Sequence, residues 1–369
     1  MIWVNLLTVN RLLTLARSLT SEVEIVTSTL ASMAIVFAAA FAGAYLLTPV
    51  AERLCWHFGL VDEPRPGELQ VRPAARAGGY VILAGFLVAL LISLALFPRS
   101  PAELWRIVGF LLGLLILVPV ALIDDFRRLA PGPQALAHLA IAVPAIAFGI
   151  IIDNVASPFG GLIELPIYMA LPISLVWTLG MINTMNLIDS MDGVVTGVAA
   201  IAAIALFVRS FDLGQYSIAV LPLALAGACA GFLPRNFNPA RIFAGSGGSY
   251  FLGYALAVLS IIGGAKIATA LMVLGLPILD VGTVIARRLL AGRSPFRGGD
   301  GAHLVHRLSA VGVPTRRIAF LAYAVCGATG LLALSLGRIE KLYLFVAVAF
   351  ILAVLGASLI IRGRRNTAR

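Results

Sequence analysis

Apolar residues in this chain fall into runs of roughly 18 to 23, near the ~20 residues a helix needs to cross a bilayer. Runs of this kind lie near 28–50, 77–98, 105–123, 135–152, 167–186, 193–209, 216–234, 248–263, 267–286, 317–337 and 341–361. Lipid offers no partners for backbone N–H and C=O groups, so such runs form helices rather than open strands. The pattern predicts an all-α integral membrane protein, a bundle of about eleven transmembrane helices over 28–361. An N-terminal arm (1–27) precedes it and a basic cytoplasmic tail (362–369) follows.

The connections alternate in character. One set is short and plain: Pro98 to Glu103, Asp153 to Pro166, Ser210 to Gln215, Gly263 to Lys266, Gly337 to Lys341. The other is mostly longer, polar and rich in Gly and Pro. Most of the 27 Lys and Arg residues lie in the polar set and the tail, which by the positive-inside tendency makes those loops cytoplasmic and the N-terminus external. Both lysines, Lys266 and Lys341, fall on the far side, so cationic contacts on the cytoplasmic face must come from Arg or His.

Composition agrees. Of 369 residues 60% are hydrophobic and 12% charged, with mean hydropathy +1.01, too few charges for the surface of a soluble domain this long. The net charge of +10 reflects retained cytoplasmic basic residues. No basic patch interleaved with aromatics points to nucleic acid. Cys55, Cys229 and Cys326 are too scattered for a metal site or a disulfide framework. No cleavage signature marks a signal peptide.

Candidate chemistry gathers on the cytoplasmic side. Asp124 and Asp125, in ALIDDFRRLAP at the end of the third run, can hold a divalent ion or take a proton, with Arg127 and Arg128 placed to neutralise them. In NTMNLIDSMDG, spacings of three set Asn183, Asn186, Asp189 and Asp192 along one helical edge, an oxygen-rich set suited to Mg²⁺ bound with a substrate phosphate. Asp192 is also placed to cap the sixth helix. Gly245, Gly247 and Gly248, before an apolar helix, suit either an anion at the helix N-terminus or a close-packed turn. Finally, RRLLAGRSPFRGGDGAHLVHRL brings Arg293 and Arg297 together with His303 and His306, a set suited to a diphosphate, or to anionic lipid. Two histidines without a cysteine leave zinc short of ligands. Asp280 reads as an isolated acid in the ninth run.

In this order the loops resemble those of the polyprenyl-phosphate N-acetylhexosamine-1-phosphate transferases, over about Gly59 to Gly312. The matching pieces are GLVDEP with the later GGY, the DD pair, NxxNxxDxxDG, NPARIF followed by GxGGSxxLG, PILD with RR, and SPF…D…HxxH. The resemblance implies an enzyme of the bacterial inner membrane with a cytoplasmic active site. It would transfer sugar 1-phosphate from a UDP-N-acetylhexosamine, by default UDP-GlcNAc, to undecaprenyl phosphate, with Mg²⁺ assisting. The products would be UMP and the polyprenyl-diphospho-sugar that begins a cell-envelope glycan such as lipopolysaccharide. Asp124 and Asp125 match the catalytic acid pair, Asn186 a metal-contacting asparagine, Asp192 a uridine-side residue, and His303 and His306 the loop near the diphosphate. A homodimer is compatible with it.

The chain departs from the family pattern at Gly67, Glu68 and Gln70, where Arg, Lys and His are usual. It departs again at Gln134 (Lys), His138 (Gln), Ser246 (the Asp metal ligand), Gly301 (Arg) and Val305 (His). Arg65, Arg72, Arg76 and Arg297 are the cations available as substitutes. An inactive relative that binds lipid phosphate or nucleotide is the alternative reading. A transporter, which would hold polar residues at mid-membrane on broken helices, is the other.

Overall fold

A computed structural model describes residues 2–63, 73–157, 159–262, 266–290, 292 and 303–367. In chain order the helices are α1 (Ile2–His57), α2 (Gly79–Leu96), α3 (Pro101–Arg127), α4 (Pro131–Ala147), α5 (Ile167–Ile188), α6 (Val194–Asp212) and α7 (Tyr216–Asn236). Next come α8 (Gly245–Ile261), α9 (Ile267–Val273), α10 (Gly275–Leu290), α11 (Leu304–Ala310), α12 (Thr315–Ser335) and α13 (Arg338–Thr367). Strands are confined to two short antiparallel pairs, β1 (Val61–Asp62) with β2 (Ala74–Ala75), and β3 (Asn154–Ala156) with β4 (Leu162–Glu164).

Each predicted run falls on helix, with two differences. The ninth is broken: α9 and α10 meet at 76°. The N-terminal arm is helical and continuous with α1. By length and apolar character seven described helices are long enough to cross a membrane, or eight if the bent pair is one span. α4 and α8 are shorter, at 17 residues each.

α8 is the centre of the bundle. Every residue from Ser246 to Ile261 is buried, and α2, α3 and α5 pack around it. Small residues make this possible, since a bundle in lipid is held by close van der Waals packing. A Cβ at Gly253 would stand 2.5 Å from the Ile182 Cα on α5, and one at Gly79 would stand 1.9 Å from the Gly248 N. The outer faces carry exposed large apolar residues such as Leu91, Leu115 and Val176, the surface a bilayer covers.

One local arrangement positions everything that follows. Residues 75–79 run beside 241–244: the Ala75 N–H donates to Arg241 O, Phe243 N–H to Ala75 O, Gly78 N–H to Phe243 O and Gly79 N–H to Ala244 O. This backbone zipper sets the start of α2 against the start of α8. The end of α3 arrives at the same place.

Candidate active site at the N-terminus of α8

The first turn of a helix presents N–H groups without intrahelical partners and favours negative charge. In α8 these groups receive the protein's own carboxylates. The Ser246 N–H donates to Asp125 Oδ1 (2.8 Å) and the Gly247 N–H to Asp125 Oδ2 (3.2 Å), while the Gly245 N–H reaches Asp189. Of the two sequence readings of this glycine stretch, both hold, with the anion supplied internally. Gly245 is required on two counts: its φ is +67°, and a Cβ there would meet the Arg76 carbonyl O at 2.2 Å.

Asp125 has two further partners, which the zipper brings in. The Tyr80 hydroxyl donates to Oδ2 (3.2 Å), and Arg76 Nε stands 3.6 Å from Oδ1. The neutralising cation is therefore Arg76. Arg128 adopts a left-handed conformation at the end of α3 and pairs with Asp62 at 2.9 Å, and Arg127 is exposed.

Asp124 is enclosed by a different set. It accepts from the Leu129 N–H (2.7 Å), the Ser246 hydroxyl (2.5 Å) and the Tyr250 hydroxyl (2.8 Å). Tyr250 in turn accepts from Gln134 Nε2 (2.5 Å), and the fully buried His138 ring packs edge-on to the Tyr250 ring at 4.4 Å. Gln134, His138 and Ser246, separate departures in sequence, thus meet around one carboxylate. Both acids are nearly closed to solvent, at 6% and 5% exposed.

The NxxNxxDxxDG residues do not share one edge. Asn183 donates to the Leu179 carbonyl, and Asn186 accepts from Ser249 at a long 3.4 Å. α5 ends at Ile188, so Asp189 and Asp192 lie in the turn beyond it. Asp192 does not cap α6, which begins after Gly193. Its Oδ2 accepts from Asn238 Nδ2 (2.8 Å) and the Ala240 N–H (3.0 Å), tying the NPAR segment to the turn. Burial, followed by the charge of Asp125, pushes the Asp189 carboxyl well above the ordinary carboxylate range. Arg76 and the Gly245 N–H pull the other way, and Asp192 adds to the rise.

Asp280 is not isolated. Its Oδ2 lies 2.9 Å from His303 Nδ1 and its Oδ1 accepts from the Leu304 N–H (2.8 Å), so α10 fixes the start of α11. Leu304 and Val305 border a small cavity with Ile188 and Val194, which brings the histidine segment up to the turn carrying Asp189 and Asp192. Burial and then His303 push His306 below the ordinary imidazole range, against a weaker pull from Asp280. Arg65, Gly67, Glu68, Gln70, Arg72, Arg293, Arg297 and Gly301 lie outside the described residues.

The site is a net negative centre of oxygen donors at a helix end. Arg76 stands beside Asp125 and its charge reaches Asp189, while Asp124 is held by Leu129, Ser246 and Tyr250. Among the described residues, no three His, Cys, Asp or Glu side chains are grouped to hold a metal ion. The carboxylate and amide oxygens of Asp125, Asp189 and Asn186 are donors of the kind a hard cation such as Mg²⁺ takes. Tyr80 and Tyr250 were missed in sequence, and Asp280 was read without its partner His303. The first two look like ordinary apolar residues at helix starts, although GGY and GGSY placed both beside candidate motifs.

Residues 107–264 match glycosyl transferase family 4. The decaprenyl-phosphate N-acetylglucosaminephosphotransferase of Mycobacterium tuberculosis (strain H37Rv) is 30% identical over 312 residues, covering 77% of each chain. The Bacillus subtilis (strain 168) protein named "Probable undecaprenyl-phosphate N-acetylglucosaminyl 1-phosphate transferase" is 29% identical over 287 residues, 76% of this chain and 78% of that one. The undecaprenyl-phosphate alpha-N-acetylglucosaminyl 1-phosphate transferase of Thermotoga maritima is 26% identical over 267 residues, 72% of this chain and 78% of that one. With the motif order, the helical bundle and the acid centre all in agreement, the chain belongs to the polyprenyl-phosphate N-acetylhexosamine-1-phosphate transferases of glycosyl transferase family 4.

Proposed function

We propose that this protein transfers N-acetylhexosamine 1-phosphate, GlcNAc 1-phosphate by default, from a UDP-sugar to undecaprenyl phosphate at the cytoplasmic face of the bacterial inner membrane. One observation carries the reading: Asp124, Asp125 and Asp189, from two helix ends far apart in sequence, meet at the N-terminus of α8. The relatives named above, whose names specify polyprenyl phosphates and N-acetylglucosaminyl 1-phosphate, support it.

In the transfer, a lipid phosphate oxygen attacks the sugar-bearing phosphorus of the UDP-sugar. The bond from that phosphorus to the bridging oxygen breaks, and the oxygen leaves with UMP. Asp125 takes the proton from a monoprotonated lipid phosphate. For this it must loosen its bonds to Tyr80 and Arg76, and Arg76 is then free to meet a phosphate oxygen. Asp124, tied to the α3–α4 turn, Ser246 and Tyr250, holds the end of α3 in place. Asp189 and Asn186 would hold Mg²⁺, which when bound supplies charge neutralisation on the diphosphate. His303, fixed by Asp280, and His306 belong to the segment that packs near this turn and would donate to the leaving diphosphate oxygens. Asp192, bound to the NPAR segment, shapes the floor of the nucleotide side.

A second reading rests on a specific feature. Every carboxylate oxygen of the pair has a protein donor, and Ser246 fills the place of an acid, as in a relative that binds without turnover. Incubation with undecaprenyl phosphate, Mg²⁺ and a panel of labelled UDP-N-acetylhexosamines separates the two. Label passing into an organic-extractable diphospholipid supports the transferase and identifies its sugar. Nucleotide binding with no lipid product supports the inactive relative.

A further inference from the structure

The two lysines of the chain meet an arginine at the end of the bundle opposite the acid centre. Lys266 follows α8, whose length at 1.5 Å per residue sets it about 24 Å from the carboxylates. Its side chain is 1% exposed and its ammonium donates to the Ile262 carbonyl (3.1 Å). Arg209 lies in the last turn of α6 and Lys341 in the first turn of α13, and α6 and α13 both pack on α9, which Lys266 begins. The charge of Arg209 reaches Lys266 and Lys341 alike.

A lysine at a helix C-terminus is favourable, because it meets the negative end of the helix dipole. That accounts for the bond to Ile262. It does not account for a guanidinium and a second ammonium gathered at the same place. Among the described residues none of the three cations forms an ion pair with a carboxylate. Burial first, and then the like charge of Arg209, lower Lys266 to about 8. The positive-inside tendency also disfavours cations at this end. Leu213, Leu342 and Tyr343 beside them are exposed, so the cluster lies at the height of a bilayer edge, where aromatic and apolar residues collect.

We propose that Arg209, Lys266 and Lys341 form a phosphate-binding site at the end of the bundle opposite the acid centre, occupied by the headgroup phosphate of an anionic membrane lipid. Two half-exposed cations reach the phosphate from α6 and α13, and the buried ammonium closes the inner side.

The test uses full-length, delipidated protein in neutral detergent, with unfolding followed as phosphatidylglycerol, phosphatidylcholine or inorganic phosphate is added. Phosphatidylglycerol should raise the apparent Tm of the wild type by about 3 °C or more, and phosphatidylcholine should not. Arg209→Gln and Lys341→Gln, both at accessible positions, should each remove at least half of that rise, and the double variant nearly all of it. Lys266→Met should do the same if it folds; the conclusion does not depend on it. Stabilisation by inorganic phosphate that is lost in the same variants would keep the site and assign it to a soluble anion. Equal lipid responses in wild type and the double variant, or no preference for phosphatidylglycerol, would overturn the proposal.

Discussion

Asp125 is both the acid placed for proton transfer and the cap of α8, so its substitution has to be read on two axes. Asp125→Asn turns one acceptor oxygen into a donor facing N–H and O–H groups. UMP release is expected to fall at least ~100-fold, the scale of a lost general base. A circular dichroism spectrum close to wild type would separate this from unfolding. Asp189 also carries a prediction on stability. Its folded-state pKa is raised, so the folded protein binds more protons than the unfolded chain above the ordinary carboxylate pKa. Stability from this group is therefore lost as pH rises towards the folded value. Asp189→Asn keeps an acceptor for the Gly245 N–H and removes the charge. The variant should be more stable than wild type at pH 8, by about 2 °C in apparent Tm, nearly equal to it at pH 4, and inactive. A lower Tm at pH 8 would contradict the assignment. Ser246→Asp places a second carboxylate where a hydroxyl now lies 2.5 Å from Asp124 Oδ2. That variant should lose stability in EDTA and regain it with Mg²⁺, whereas wild-type stability should change little.

At the scale of elements, the start of α8 is built by segments that sequence reading keeps apart. The acid pair was legible because two adjacent carboxylates interrupt an apolar run at a helix end. Its partners were not. Arg127 and Arg128 are nearest in sequence, but the left-handed turn at Arg128 (φ 51°) carries that guanidinium away to Asp62. Arg76 arrives instead through the 75–79 and 241–244 zipper, a long-range pairing with no local signature. Asp192 looked like a cap because it precedes a helix, yet its bonds go to Asn238 and Ala240. Asp280 looked isolated because His303 is 23 residues away. The close contact between α2 and α8 gives a direct test of the zipper. Gly79→Ala drives a Cβ into the Gly248 backbone, which should cost about 3 kcal/mol. Activity should be lost along with stability, because Tyr80 and Arg76 move with the start of α2. Unchanged thermal unfolding of this variant would contradict the packing at the centre of the site.

At the scale of the molecule, the acids of the candidate site, Asp124, Asp125 and Asp189, lie at helix ends. The broken span found among the described residues, α9 with α10, presents Asp280 to a histidine of its own chain. The helical bundle was legible from run length because lipid requires helices. The number of crossings was less so: α4 and α8 are short, and α8 is buried by protein, which apolar runs alone do not distinguish from lipid. The departures from the family pattern looked independent in sequence. Three of them, Gln134, His138 and Ser246, form one assembly around Asp124, in which Gln134 and Ser246 bond where the family pattern has Lys and Asp and the His138 ring packs on Tyr250. On this account the assembly preserves the position of α3 while Asp125 and Asp189 keep the chemistry.

The most direct test is UMP release by purified wild-type protein beside its Asp125→Asn variant, with undecaprenyl phosphate, UDP-GlcNAc and Mg²⁺ each omitted in turn. The account predicts release that requires both substrates and is at least ~100-fold lower in the variant. No release from folded wild-type protein with any UDP-N-acetylhexosamine, or equal release by wild type and variant, would contradict it.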